Sequence, residues 1–433
     1  MTHRQQRTLA ATGIARVEGE GSLHIRLAGN EVEEVRLGIY EPPRFFEAFL
    51  RGRAYTEPPD ITSRICGICP VAYQTSAFLA LEAACGVHVD GPLADLRRLL
   101  YCGEWVASHA LHIYLLHAPD FLGYPGAVEM ARDRRDLVER GLRLRRAGNA
   151  IMELIGGRAV HPVNVRLGGF YSVPARRDLD PLAVQLLEAL DDALETVRWA
   201  AGLDFPDLTV GHEFLALRQS GQYPIERGTV VTSGGGEFGA DEFEQHVVEE
   251  QVPHSTALHA RLTGSDSTYL TGPLARYALN SRWLSPQAAA AAAAAGLGES
   301  CRNPFQSIVV RAVEVVCAIE EAIRIIAGYQ PPAWPAVPVA PRAGRGCGLS
   351  EAPRGVLYQR YELTPDGTIT SARIVPPTSQ NQAAIERDLR AFVQARLSLD
   401  DERLTAECER AIRNYDPCIS CATHFLDLRI ERG

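Results

Sequence analysis

Two Cys-x-x-Cys pairs stand near opposite ends of this 433-residue chain. The first is Arg64-Ile65-Cys66-Gly67-Ile68-Cys69-Pro70, and the second is Asp416-Pro417-Cys418-Ile419-Ser420-Cys421-Ala422-Thr423-His424. Together they offer four thiolates that only the fold can bring to one point. A zinc ribbon usually sets its pairs about 15–20 residues apart, and these are separated by most of the chain. A lone redox pair or two buried structural pairs are the other plain readings. The residues favour a shared metal site, with a split zinc site as the competitor. Pro70 puts Cys69 at or just before a helix N-terminus, and Asp416-Pro417 reads as a second helix start, with Asp at the cap. A helix N-terminus favours thiolate over thiol. Four thiolates suit a soft metal, or two metals bridged by sulfur. His424, three residues beyond Cys421, could bind another ion.

The bulk properties exclude several alternatives. The net charge of −9 argues against nucleic acid as a main partner. All the basic side chains are arginine; the absence of lysine removes Schiff-base chemistry and a P-loop lysine. No stretch approaches the ~18 apolar residues of a membrane span. The N-terminus shows no apolar segment of a secretory signal, so a cytoplasmic location is expected. The remaining cysteines (Cys85, Cys102, Cys301, Cys317, Cys347 and Cys408) are scattered singly and read as small buried hydrophobes.

The elements that position the motifs follow from pattern. Thr8 to Tyr40 alternates apolar and polar residues around Gly29-Asn30 and reads as a small antiparallel sheet. Pro70 to about Gly86 is helical, followed by helices over Leu93 to His117, Ala127 to Gly156, Leu179 to Ala201, Asn303 to Ala327 and Gln382 to Ser398. The alanine run 288–295 reads as a helical surface insertion without chemistry. Pro331 to Pro341 is an extended connector. Gly355 to Val375 reads as a hairpin turning at Thr364-Pro365-Asp366-Gly367. The expected fold is mainly α with small β elements (α+β), a central bundle of long helices with peripheral sheets. Because the cysteine pairs must cooperate, residues 1–433 are read as one interwoven unit. It comprises a β-rich part over 1–60, a helical core over 61–330, a β-hairpin segment over 342–380, and C-terminal helices with the metal motif over 381–433.

The two motifs resemble the signatures of the large subunit of nickel–iron hydrogenases. Intermediate segments fit the same pattern: Arg16-Val17-Glu18-Gly19, Phe46 to Arg53, Ser108-His109-Ala110-Leu111-His112, Thr271-Gly272-Pro273-Leu274-Ala275-Arg276, Glu351-Ala352-Pro353-Arg354-Gly355 and Pro377-Thr378. The resemblance implies Cys66 and Cys418 as terminal nickel ligands. It implies Cys69 and Cys421 as bridges to an iron carrying one carbonyl and two cyanides. Ala352, Pro353, Arg354, Leu357, Pro377 and Thr378 match the segments that enclose those diatomic ligands. Glu47, the carbonyl of Ile374 and His424 would hold magnesium. Splitting H2 heterolytically needs a base beside the metal. Cys418 is the expected first base, Glu18 the relay, and Arg354 a competing base held by carboxylates, of which Asp416 is a candidate.

Taken alone, Glu18 reads as a solvated strand residue, Arg354 as a turn residue and Glu47 as a surface charge. His109, His112 and His161 read as structural. Tyr73 stands where family members often carry histidine, and Ser108 where many carry an aspartate partner of Arg354. Both departures resemble the cytosolic branch, and the motifs look most like its NADP-linked group. The chain lacks an iron–sulfur cysteine run and a dinucleotide fingerprint of its own. The resemblance therefore implies an iron–sulfur small subunit and flavin- and NAD(P)-binding diaphorase-type subunits. It also implies maturation factors for nickel insertion; many relatives lose such a tail after His424 to a dedicated protease, and others retain it. The alternatives are a non-catalytic H2 sensor or metal-binding scaffold of the same fold, or a hydrogenase coupled to a deazaflavin coenzyme or a heterodisulfide reductase. A quinone-binding relative of the fold is disfavoured by the four intact cysteines.

Overall fold

The computed structural model describes residues 6–264 and 268–423. His424 and the tail 425–433 lie outside the described residues. Long helices dominate, with small sheets at the margins. Helices Pro92–Leu111, Arg135–Gly156, Arg176–Ala201 and Ser307–Gly328 pack on one another. Their apolar stripes supply Leu99, Val106, Ile151, Leu186, Val313 and Ile319 to one core.

Local deviations from the sequence pattern have local causes. The helix expected over 93–117 passes into a π-helical turn at His112–His117. The helix expected over 127–156 breaks at Arg134, giving Ala127–Asp133 and Arg135–Gly156. Pro377 occupies a first-turn position, so the helix Pro377–Gln394 starts earlier than its apolar periodicity indicates. The alanine-rich helix Pro286–Ala294 is not purely a surface element, because Ala288 and Ala292 are buried against the main core.

The N-terminal strands Gln6–Ala11, Gly21–Ala28 and Glu31–Ile39 form the expected antiparallel sheet in sequential order. The expected hairpin is present as Gly355–Leu363 and Ile369–Val375. A further strand, Gly344–Ala352, pairs with its outer side. That strand lies on the helix Pro70–Cys85 at backbone distance. A Cβ at Gly346 would stand 2.0 Å from the Ala80 carbonyl oxygen, and one at Gly348 would stand 2.2 Å from that of Ser76. The pairing of Ala352 with Gly355 makes Pro353-Arg354 the two-residue tip of this hairpin.

Candidate metal centre

The chain ends converge on the cysteines. Cys66 is extended after the short turn Ser63–Ile65, and Cys69 caps the helix Pro70–Cys85. Cys418 precedes the four-residue helix Ile419–Ala422. Asp416 is therefore not the helix cap that its neighbour Pro417 suggests. It adopts a left-handed conformation (φ 50°) that turns its carboxylate elsewhere. One sulfur from each of Cys66, Cys69, Cys418 and Cys421 lies within 4.8 Å of the other three. Sγ of Cys66 is 3.4 Å from that of Cys418, Cys69 is 3.5 Å from Cys421, and Cys418 is 2.8 Å from Cys421. All four residues are at most 3% exposed. Burial pushes the Cys418 thiol well up. Hydrogen bonding from Cys418 and Cys421, aided by the Arg354 charge, holds Cys66 well below the usual thiol range.

Glu18 meets this cluster through its backbone as well as its side chain. The Ile419 amide donates to the Glu18 carbonyl at 2.9 Å. Oε2 of Glu18 lies 3.1 Å from Sγ of Cys418 and accepts from the Ser420 amide at 3.0 Å. Glu18, expected as a solvated strand residue, instead lies in the link between strands Gln6–Ala11 and Gly21–Ala28, where an isolated bridge to Cys418 registers it onto the second cysteine motif. On its outer side, the Ser420 hydroxyl donates to Glu41 at 3.1 Å.

Arg354, 2% exposed, donates through Nε to the Asp416 carbonyl at 2.8 Å and through Nη2 to Oδ1 of Asp416 at 3.0 Å. Its Nη1 lies 3.4 Å from the Ser108 hydroxyl. Burial opposes the guanidinium charge, but Asp416 and the cysteine sulfurs outweigh it and raise its pKa further. The Arg354 loop has its own anchor, which sequence reasoning did not assign. Arg276 donates to the carbonyls of Ala352 (2.8 Å) and Pro353 (2.9 Å), and to the carboxylates of Glu314 and Glu351. Arg276 and both carboxylates have no exposed side-chain surface. Burial pushes Glu351 up to about 7. Glu314 is instead brought down to about 2, because Arg276 overcomes the burial penalty. Gly272 (φ 110°) admits the loop, since a Cβ there would stand 2.6 Å from the Arg354 carbonyl oxygen.

Thr378 sits in the first turn of the Pro377–Gln394 helix, beside Pro377. Its Oγ1 accepts from the Cys418 amide at 3.1 Å, so its own proton can be donated elsewhere. Ala352 and Leu357 share one apolar cluster with all four cysteines. The Tyr73 hydroxyl stands 3.5 Å from the Cys421 carbonyl oxygen. Glu104, which the sequence did not single out, is fully buried and accepts from the amides of Val71 (2.6 Å) and Ala72 (3.1 Å). It thereby closes the N-terminus of the helix that Cys69 caps. Burial raises its pKa well above the ordinary range. A buried carboxylate one element away has no local sequence signature, so nothing adjacent to the motif pointed to it.

Glu47 and Ile374 are also together, the Ile374 amide donating to Oε1 of Glu47 at 2.7 Å. Arg373 bridges this pair to the buried Glu249 at 2.6 Å. The third expected member of that group, His424, lies outside the described residues. His109 contacts Glu314 at 3.0 Å, and His112 bonds the Arg413 carbonyl at 2.8 Å. Both belong to the buried scaffold.

The donor set fits a soft-metal centre: four buried sulfurs with a carboxylate and a guanidinium beside them. Among the described residues, no helix is long and apolar enough to cross a membrane. Comparison with known proteins gives a consistent answer. The family model for nickel-dependent hydrogenase matches residues 44–140 and 306–424. Sulfhydrogenase 1 subunit alpha of Pyrococcus furiosus is 34% identical over 96% of this chain and 97% of its own length. The beta subunit of the NAD-reducing hydrogenase HoxS of Cupriavidus necator is 26% identical over 97% of this chain and 95% of its own length. A crystal structure of an NAD+-reducing NiFe-hydrogenase in the H2-reduced state superposes with a TM-score of 0.88 at 28% identity, covering 96% of this chain and 99% of that one. The NiFeSe-hydrogenase of Dm. baculatum shares the fold at a TM-score of 0.79 and 22% identity. The chain belongs to the nickel-dependent hydrogenase family, as a large subunit.

Proposed function

We propose that this chain is the catalytic subunit of a hydrogenase that reversibly cleaves H2 to two protons and two electrons. The observation that carries the reading is the Glu18 carboxylate set 3.1 Å from Cys418 within a buried four-sulfur cluster. Cys66, Cys69, Cys418 and Cys421 would together hold a nickel–iron centre, Cys66 and Cys418 towards nickel and Cys69 and Cys421 shared with an iron that would carry carbonyl and cyanide. When bound, this pair supplies the Lewis acid that polarises H2 and takes up its electrons.

The chain's own groups do the rest. Cys418 takes the first proton at Sγ and passes it to Oε2 of Glu18. Ser420 and Glu41 continue the polar line from Glu18 towards the surface. Arg354 is the competing base, but its reinforced charge favours Glu18 in that role and leaves Arg354 as a fixed donor at the open face. The Thr378 hydroxyl would donate to a cyanide of that centre, while Ala352, Pro353, Leu357 and Pro377 would keep water away. Glu47, the Ile374 carbonyl and His424 would hold magnesium.

Electrons leave to an iron–sulfur small subunit. The NAD-reducing relatives favour partners that bind NAD(P); diaphorase-type subunits with flavin, in a cytoplasmic complex, complete the reading. Maturation factors insert nickel. The test is H2-driven reduction of a viologen dye by the purified complex. Dye reduction that is lost in Cys418→Ser is expected. A complex with full metal content that neither reduces dye under H2 nor evolves H2 from reduced dye refutes the catalytic reading.

A further inference from the structure

A second cluster of metal-binding side chains lies apart from the cysteines. Segment 251–258 is docked on the edge strand Glu31–Ile39. The Thr256 amide donates to the Ile39 carbonyl at 2.7 Å, and the Thr256 hydroxyl reaches the Ile39 and Glu41 carbonyls at 2.9 and 2.8 Å. The approach is close enough that a Cβ at Gly38 would stand 2.9 Å from the His254 carbonyl oxygen. The segment delivers His254, and the strand His259–Leu262 that follows begins with His259. Both face Glu386 on the Pro377–Gln394 helix. Nε2 of His254 is 2.8 Å from Oε1 of Glu386, which also accepts from the Leu37 amide at 2.7 Å. The two imidazole rings stand edge to face, with centroids 5.5 Å apart. One ligand atom from each of the three side chains lies within 4.8 Å of the others.

His259 is the telling member. It is only 5% exposed, and its Nε2 has no hydrogen-bond partner. A buried ring nitrogen without a partner costs about 1–3 kcal/mol and calls for an explanation. We propose that His254, His259 and Glu386 form a second metal site, for a divalent transition cation such as zinc. Two imidazoles and a carboxylate suit zinc, whereas calcium and magnesium prefer all-oxygen shells. Zinc–ligand distances of about 2.0–2.2 Å set tetrahedral ligand atoms roughly 3.4 Å apart, so the 2.8 Å His254–Glu386 contact opens slightly to admit the ion. The side chains of His254 and Glu386 are 20% and 17% exposed, which leaves room for that rotation and a route for the ion. The fourth position is open to water.

The role is structural. Glu386 lies eight residues along the same helix from Thr378, about 12 Å at 1.5 Å per residue. Ala257 of the docked segment packs with Ile39, Ile419 and Ala422 beneath the second cysteine motif. A metal here braces that motif from outside. The inference does not depend on what the cysteines bind.

The test uses the purified complex, stripped of labile metal by a chelator and titrated with Co2+. The expected result is one additional cobalt per chain, with weak visible ligand-field bands and no sulfur-to-cobalt charge-transfer band. It is lost in His259→Gln and in Glu386→Gln, while nickel content is unchanged. Two variants guard against one misfolding, since the carboxamide introduced by Glu386→Gln can still accept from the Leu37 amide. No cobalt outside the cysteine centre, or equal binding by both variants, overturns the proposal and leaves only a His254–Glu386 ion pair.

Discussion

The carboxylate of Glu18 lies 3.1 Å from the sulfur of Cys418, across a chain separation of 400 residues. The segment joining strands Gln6–Ala11 and Gly21–Ala28 thereby delivers a carboxylate to a cysteine of the second motif. Glu18→Gln preserves the side chain's size and its acceptor for the Ser420 amide, but cannot carry a proton. Metal content is expected to stay intact while H2/D2 exchange falls by about 10²-fold or more. Exchange at the parental rate excludes Glu18 as the relay.

Arg354 and Asp416 form a buried pair with two contacts. Arg354→Leu leaves the Asp416 carboxylate without its cation, which is expected to cost about 3–5 kcal/mol in denaturant unfolding. Adding Asp416→Asn removes the orphaned charge and should recover much of that loss. Arg354→Lys keeps the charge but cannot make both contacts at once. Its turnover should fall about 10²-fold with metal content unchanged. A double variant no more stable than Arg354→Leu contradicts this pairing.

Gly272 admits the carbonyl of Arg354 at a position where a Cβ would stand 2.6 Å away, and its φ is 110°. Gly272→Ala should therefore displace the Pro353-Arg354 tip and lower both thermal stability and H2 oxidation. Arg276 anchors the same tip from the other side, so the alanine variant and Arg276→Met should combine non-additively. Strict additivity in the unfolding free energies refutes a shared anchor.

His109 gives a pH dependence. Burial drives its pKa from 6.5 down to about 4, with Glu314 opposing the shift. The unfolded chain binds this proton near pH 6.5 and the folded chain only near pH 4. Stability from this residue is thus fully present above pH 6.5 and lost as pH falls from there to 4, by about 3 kcal/mol in total. Denaturant titrations across this range should show that decline, and His109→Gln should flatten it. An unchanged slope in the variant assigns the acid sensitivity elsewhere.

What the sequence made legible was periodic or carried by a motif. Alternation revealed the N-terminal sheet, and the 3.6-residue pattern revealed the long helices. The spacing within Cys66/Cys69 and Cys418/Cys421 marked residues that the fold brings within 4.8 Å. Buried charge was far less legible. Glu104, Arg276 and Glu314 sit on helical faces where charge normally means solvent, and only tertiary packing shows them satisfying backbone groups and one another. Asp416 misleads because Asp-Pro is a common cap pair, whereas here a left-handed φ redirects its carboxylate to Arg354. The third strand, Gly344–Ala352, is hidden in the sequence because its glycines, required by contact with the Pro70–Cys85 helix, erase the alternating pattern.

The proposed function rests on four sulfurs that hold nickel and iron. Elemental analysis of the purified complex, combined with infrared spectroscopy of the same sample, tests it most directly. One nickel per large subunit is expected, with one carbonyl and two cyanide stretching bands, and loss of nickel in Cys66→Ser. Zinc in place of nickel with no such bands, or full nickel retention in Cys66→Ser, contradicts it.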